Sequence, residues 1–163
     1  MNWTRGNFLI TDDKERLKVS EIAEIMKQGF WCAHYTTDKI ARLLETSFWL
    51  GVHLKGRLIG FARLVTDKTT VTLITDLLIE QAYRGNGHGA WLMGCILEHP
   101  ELKATSMSLG TQGTDVFFEK FGFERDGALM HRAPNAPPPP PPPPLKSRGR
   151  SRSGPGGKKG RDD

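Results

Sequence analysis

Apolar residues recur at Val19, Ile22, Ala23, Ile25 and Met26, the spacing of one helix face, after the polar stretch Thr11-Asp12-Asp13. Ser20, or the acidic turn before it, supplies a start signal, and Gly29 ends the helix. Thr36-Thr37-Asp38 offers capping oxygens for a second short helix through Ile40, Leu43 and Leu44. The period then changes. Phe48–Leu54 and Leu58–Val65 are β-rich runs split by Lys55-Gly56-Arg57, a hairpin signal. The polar turn Thr66-Asp67-Lys68-Thr69 leads into a further run, Val71–Ile79, which predicts a meander of consecutive antiparallel strands.

Beyond Tyr83–Gly87 an apolar-periodic helix passes through Ala90, Trp91, Met93, Gly94 and Leu97 and stops at Pro100. Ala104–Leu109 predicts a short strand, Thr114–Lys120 a last helix, and Phe121-Gly122-Phe123 the opening of a final strand. The order is α-α-β-β-β-α-β-α-β. It specifies an α/β fold with a mixed, mostly antiparallel central sheet flanked by helices and one central parallel step.

Composition changes the picture mainly at the C-terminal end. All but one of the 11 prolines lie at or beyond Pro134, eight of them in an unbroken run at 137–144. Residues 1–133 hold 16 basic and 16 acidic side chains, whereas the last 30 residues carry a net +5. The basic character therefore belongs to a tail and gives no reason to expect a nucleic-acid-binding face on the folded part. We expect one domain over 1–133 and a disordered tail over 134–163. Cys32 and Cys95 have no paired spacing, so neither a disulfide framework nor a metal site is expected. No signal pattern or membrane-length apolar run is present, and the expected location is cytoplasmic or, given the basic tail, nuclear.

Arg84-Gly85-Asn86-Gly87-His88-Gly89 sits between a strand and a helix. Glycines let the backbone approach a ligand closely, the helix start presents unpaired N–H groups, and Arg84 adds a charged donor. The ligand such a turn fits is a diphosphate. A Walker A loop is excluded because no Gly-Lys-Ser/Thr follows. A dinucleotide-binding turn satisfies the loose pattern Gly85-x-Gly87-x-x-Ala90 but fails on context: the preceding strand closes an antiparallel meander, and Ala104–Leu109 ends without an acidic residue for a ribose.

The stretch Leu77–Gly89 resembles motif A of the GNAT N-acetyltransferase superfamily, with its Arg/Gln-x-x-Gly-x-Gly/Ala core. Gly60–Asp67, Phe30-Trp31-Cys32-Ala33, Glu98–Leu102 and Phe121-Gly122-Phe123 match one bacterial and fungal group of that superfamily in order, over about residues 9–127. The resemblance implies acetyl-CoA as acyl donor and an amine acceptor that attacks the thioester directly, with no metal. It implies that the backbone of Leu77, Leu78 and Ile79 pairs with the pantetheine arm, and that Arg84, Gly85, Asn86, Gly87, His88 and Gly89 bind the pyrophosphate. It places the oxyanion donor at a backbone N–H near Leu78.

For the base, Asp76 interrupts an apolar strand. If unpaired it would suit proton abstraction; equally, it could be tied to backbone amides or to Arg63. Trp31, His34 and Arg63 are candidates for acceptor contact. The family's usual acid tyrosine is replaced: the run here is Phe117-Phe118-Glu119-Lys120-Phe121-Gly122-Phe123, and Phe118 has no hydroxyl. A CoA-binding module with weak or no catalysis is the alternative this substitution raises. In the tail, the prolines would form a polyproline II rod about 25 Å long, able to serve as a stiff spacer or to dock on SH3, WW or profilin-like grooves. The basic segment after it could bind nucleic acid weakly. No membrane contact is expected.

Overall fold

The computed structural model describes residues 1–127 of the chain. The polyproline run, the basic segment and the expected boundary at 133 lie outside the described residues. Met1–Arg125 form one compact unit.

Its sheet has six strands in sequence order: β1 (Asn2–Arg5), β2 (Phe8–Thr11), β3 (Phe48–Leu54), β4 (Arg57–Thr66), β5 (Val71–Ile79) and β6 (Ser106–Leu109). Neighbours are antiparallel except β5 and β6, which are parallel. Helices α1 (Val19–Met26) and α2 (Thr37–Thr46) cover one face, where Ile22, Ile25, Met26 and Ile40 pack on Trp49, Leu58 and Phe61. Helix α3 (His88–Glu98) covers the other, burying Leu92, Met93 and Ile96 against Leu50, Val52, Ile59 and Leu64. A short α4 (Asp115–Glu119) follows β6. Thr36 caps α2 as expected, its side chain accepting from the Lys39 N–H at 3.3 Å.

The mixed, mostly antiparallel sheet with flanking helices agrees with the pattern of the sequence. Three details differ. The N-terminal residues, to which the sequence pattern assigned no element, form a β1–β2 hairpin. The parallel step is not central: β6 is an edge strand among the described residues. No strand begins at Phe121-Gly122-Phe123; Phe121 and Gly122 form a turn after α4, with Gly122 at φ +82°. The backbone N–H groups of Phe121 and Gly122 bond back to the carbonyls of Phe118 and Glu119, so this segment closes the helix and does not extend the sheet.

The N-terminal hairpin is held by a buried histidine. His99, at the end of α3, bonds through Nε2 to Asp12 at 2.9 Å, and its Nδ1 accepts the Glu101 N–H at 3.2 Å. The rings of Trp3 and Phe48 flank it, joining β1 and β3 to the end of α3.

The β4–β5 turn is organised by one carboxylate. Asp67 accepts from the Thr70 hydroxyl and, through Oδ1, from the backbone N–H groups of Thr69, Thr70 and Val71 at 2.8–3.0 Å. The Thr70 hydroxyl, followed by the backbone amides, holds this carboxyl well below its ordinary 3.8. A folded pKa below the unfolded one contributes stability that is present above the unfolded value and lost as pH falls through the folded one. Asp67→Ala should therefore flatten the fall of stability with acidification below about pH 4, measured by urea unfolding at several pH values.

Candidate active site

β6 pairs with β5 from Val71↔Ser106 to Ile74↔Leu109, and there the pairing stops. β5 continues to Ile79 while the chain leaves β6 through Gly110. The two strands part, and a cleft of about 930 Å³ opens between them. Leu77 and Ile79 of β5, the glycine-rich turn through Arg84, Gly85 and Gly87 to Ala90, Phe117 and Phe118 of α4, and the loop residues Phe30 and Trp31 line it.

A β-bulge fixes which β5 groups face the cleft. Arg63 of β4 pairs with Asp76 and Leu64 with Ile74, leaving Thr75 as the extra residue; its hydroxyl donates to the Arg63 carbonyl at 3.0 Å. The extra residue switches the faces that side chains reach. Ile74 packs on the α3 side, whereas Asp76 and Leu78, of the same parity, face α1 and α2. Past the bulge the backbone alternates. Glu80 N–H bonds to the Ile59 carbonyl of β4 at 2.8 Å, which turns the peptide groups of Leu78 toward β4 as well and those of Leu77 and Ile79 toward the cleft. The Ile79 carbonyl, on that open side, accepts from Arg84 Nε at 2.7 Å. The cleft-facing amides adjoining Leu78 are thus those of Leu77 and Ile79.

The glycine-rich turn has the conformation an anion site needs. Gly85 and Gly87 have φ of +79° and +81°, a region costly for residues with a Cβ, and Gly87 is the N-cap of α3. The amides of His88, Gly89 and Ala90 start the helix and have no intrahelical carbonyl to bond. Asn86 does not line the cleft; its side-chain amide donates to the carbonyls of Tyr83 and Arg84 and braces the turn from outside. His88 lines the cleft and stacks on Phe8 with ring centroids 4.5 Å apart. Arg84 also lines the cleft, with its Nε bonded to the Ile79 carbonyl of β5.

Behind the cleft lies a buried polar network. Asp76 is 2 % exposed. Its Oδ2 accepts from Arg63 Nε at 2.6 Å and its Oδ1 from Trp31 Nε1 at 2.8 Å; Arg63 Nη1 also reaches the Ser47 hydroxyl at 3.2 Å. Of the two environments the sequence allowed for Asp76, the structure has the ion pair with Arg63. Trp31 touches both the network and the cleft. Arg63 does not line the cleft, and neither does His34, an exposed residue set edge-on to Tyr35. Cys32 is buried beneath the same loop; desolvation and the Asp76 carboxylate push its thiol up to about 11, so it stays protonated at neutral pH and offers no nucleophile.

Phe30 and Thr75 border the cleft although sequence reasoning did not select them. Phe30 belongs to the Phe-Trp pair quoted for its resemblance, which was the available signal. Thr75 carried none, because a bulge leaves no periodicity. Phe118 does line the cleft, beside Phe117. The only tyrosine on the lining among the described residues is Tyr83, at the end of the short 3-10 helix Gln81–Tyr83 that leads into the glycine-rich turn. Also among the described residues, no group of three or more His, Cys, Asp or Glu is placed to hold a metal, and no helix is long and apolar enough to cross a membrane.

Comparison with known proteins agrees with this fold. Residues 45–125 match the family profile described as acetyltransferase (GNAT) domain. FG08082 of Gibberella zeae, which carries an acetyltransferase name without a stated substrate, is 24% identical over 147 residues, covering 76% of this chain and 82% of the relative. Among solved structures, the GNAT-family protein XCC2953 of Xanthomonas campestris superposes with a TM-score of 0.73 at 24% identity, covering 77% of this chain and 92% of that one. The aminoglycoside N-acetyltransferase AAC(6')-Iy, solved in complex with CoA, superposes with a TM-score of 0.58 at 13% identity over 79% of this chain and 94% of its own. At these identities the structural likenesses speak for the fold.

Proposed function

We propose that this chain, which belongs to the GNAT superfamily of N-acetyltransferases, moves the acetyl group of acetyl-CoA to a primary amine by direct attack in the β5–β6 cleft. The observation that carries the reading is the end of strand pairing at Ile74↔Leu109 beside a turn with Gly85 and Gly87 at positive φ. The open edge of β5 offers the peptide groups of Leu77 and Ile79 to a pantetheine amide, as an added strand would use them. The pyrophosphate would lie on the amides of Gly85–Ala90 with Arg84 beside it. From Ile79 back to Asp76 the strand runs about 10 Å, which brings the thioester toward the bulge and Trp31.

There the amine nitrogen bonds to the thioester carbon, the carbonyl oxygen takes the charge, and collapse of the adduct expels the CoA thiolate. The Leu77 N–H, on the cleft side of β5 nearest the bulge, is the donor we assign to the oxyanion. Asp76 has both oxygens engaged by Arg63 and Trp31, so we assign it to positioning, and water takes the proton of the attacking amine. Phe118 supplies no proton to the leaving thiolate, which also falls to water. The lack of a hydroxyl there keeps open a second reading, a CoA-binding module with slow turnover.

Calorimetry with acetyl-CoA, CoA and NADH tests the binding step: acetyl-CoA and CoA should bind, and a preference for NADH, or no binding by any of them, refutes the assignment. Thiol release over a set of amines tests the transfer. Phe118→Tyr should raise kcat by at least about tenfold if thiolate protonation limits turnover, since a positioned acid contributes on the order of 10²–10⁴. An unchanged kcat with intact acetyl-CoA binding would show that protonation is not limiting.

A further inference from the structure

His88 is the first residue of α3, directly after the left-handed N-cap Gly87, and it lines the cleft. Its ring rests on Phe8 of β2, with centroids 4.5 Å apart at 40°. That ring contact is its only side-chain partner among the described residues, so neither imidazole nitrogen is bonded to the protein. The charged groups around it are mostly cations. Arg84 and Lys120 line the same cleft, where the remaining titratable group is Tyr83. Arg5 of β1 lies over the Trp91 ring at 4.8 Å, one turn further along α3, and Lys55 follows Leu54, the β3 partner of Phe8. The acids lie elsewhere. Glu98, the only carboxylate of α3, is ten residues on, about 15 Å along the helix. On α4, Asp115 is bonded to Arg125, and neither it nor Glu119 borders the cleft. An anion placed on the turn is therefore the first negative group to meet the imidazole.

We propose that His88 is a proton-dependent ligand of the diphosphate: as CoA binds, the imidazole takes a proton from solvent, and the imidazolium holds the phosphate oxygens by a charge-assisted hydrogen bond. The inference rests on the acetyl-CoA reading above and adds the regulation of that site by pH. Histidine is the side chain whose charge ordinarily changes between pH 5 and 8, so a diphosphate beside it couples binding to protonation in that range. The Phe8 face supports the charged ring from the side away from the ligand. The sign follows from linkage. The bound protein holds more protons than the free protein, so affinity rises as pH falls through the histidine range and weakens above it. The other cations of the site, Arg84 and Lys120, keep their charge throughout that range and contribute no such slope.

The test titrates CoA into the full chain by calorimetry between pH 6 and 8, in two buffers of different ionisation enthalpy, with His88→Gln and His88→Leu beside the parent. The 3′-phosphate of CoA itself titrates at about pH 6, so the reading is the difference between parent and variant, in which that part cancels. At pH 7 the parent should take up about 0.5 proton more than either variant on binding. The ratio of variant Kd to parent Kd should grow about fivefold or more from pH 8 to pH 6. His88→Gln keeps a neutral hydrogen-bond donor and His88→Leu keeps only bulk, and urea unfolding at the same pH values checks that each is folded. A Kd ratio constant within about twofold across the range, or equal proton uptake by parent and variants, would overturn the inference. An equal loss of affinity at every pH overturns it too, since the ring would then act through its packing on Phe8 and not through charge. Failure of the parent to bind CoA at any pH would instead defeat the acetyl-CoA reading, and the inference with it.

Discussion

Arg63→Met should lower the stability of the domain by about 3–5 kcal/mol, because it strips the partner from a carboxylate that has no access to water. The side chains of Arg63 and Asp76 are only 10% and 2% exposed, and the contact between them is 2.6 Å. Their attraction does little more than offset the cost of desolvating two charges, but loss of one partner leaves the other uncompensated. For a domain of this size the loss corresponds to roughly 10–20 °C in Tm by differential scanning calorimetry. The double replacement Arg63→Met with Asp76→Leu removes both charges and should recover most of the deficit. The double variant also separates the roles open to Asp76. If Asp76 only positions Trp31, kcat in that variant should stay within about tenfold of the parent; a catalytic base would cost on the order of 10²–10⁴. A single variant that costs less than about 1 kcal/mol would mean that water reaches the pair.

That ion pair also marks where the sequence was legible and where it was not. Asp76 stands out in the sequence because a carboxylate interrupts an apolar strand, which left it either an unpaired base or a group tied to backbone amides or to Arg63. The meander, α1, α2 and α3 were readable because each presents an apolar face of one period to one side of the sheet. Residues 74–76 were not. A bulge adds one residue without a change in composition, so simple alternation puts Ile74, Asp76 and Leu78 on one face, when the structure splits them across two. The same alternation decides which backbone amides reach the cleft, and it depends on register across the β4–β5 pair, which is a non-local property.

The N-terminal hairpin was missed for a different reason. Its strands are four residues each, too short for a periodic signal, although Gly6-Asn7 between Trp3-Thr4-Arg5 and Phe8-Leu9-Ile10 is a two-residue hairpin turn with Gly6 at φ +56°. Phe121-Gly122-Phe123 erred the other way: alternating aromatics resembled a strand, but Gly122 in the left-handed region ends α4. The glycine-rich turn was the most legible part of the site, since its geometry is local and its residues are consecutive.

Locality makes that turn the place for the largest effect on ligand binding. Gly87→Val should weaken acetyl-CoA by about 10²-fold or more while leaving most of the fold's stability in place. Two costs act together. Valine at φ +81° is strained by about 1–2 kcal/mol, and the turn can relieve that strain only by rotating its amides away from a common point. The second cost falls on the ligand alone. A Cβ built on Gly87 meets no protein atom within 4 Å, so the space it enters is the open side of the turn, where a diphosphate would approach the backbone. A buried charge-assisted hydrogen bond is worth about 1.5–3 kcal/mol, and the loss of two would account for the expected factor. Calorimetric titration gives the Kd, and urea unfolding of the same variant reports stability separately. The diagnostic result is the split between the two: affinity lost in large part, unfolding midpoint moved little. If acetyl-CoA binds Gly87→Val as tightly as the parent, the pyrophosphate does not lie on this turn, and the placement of the thioester near Trp31 falls with it.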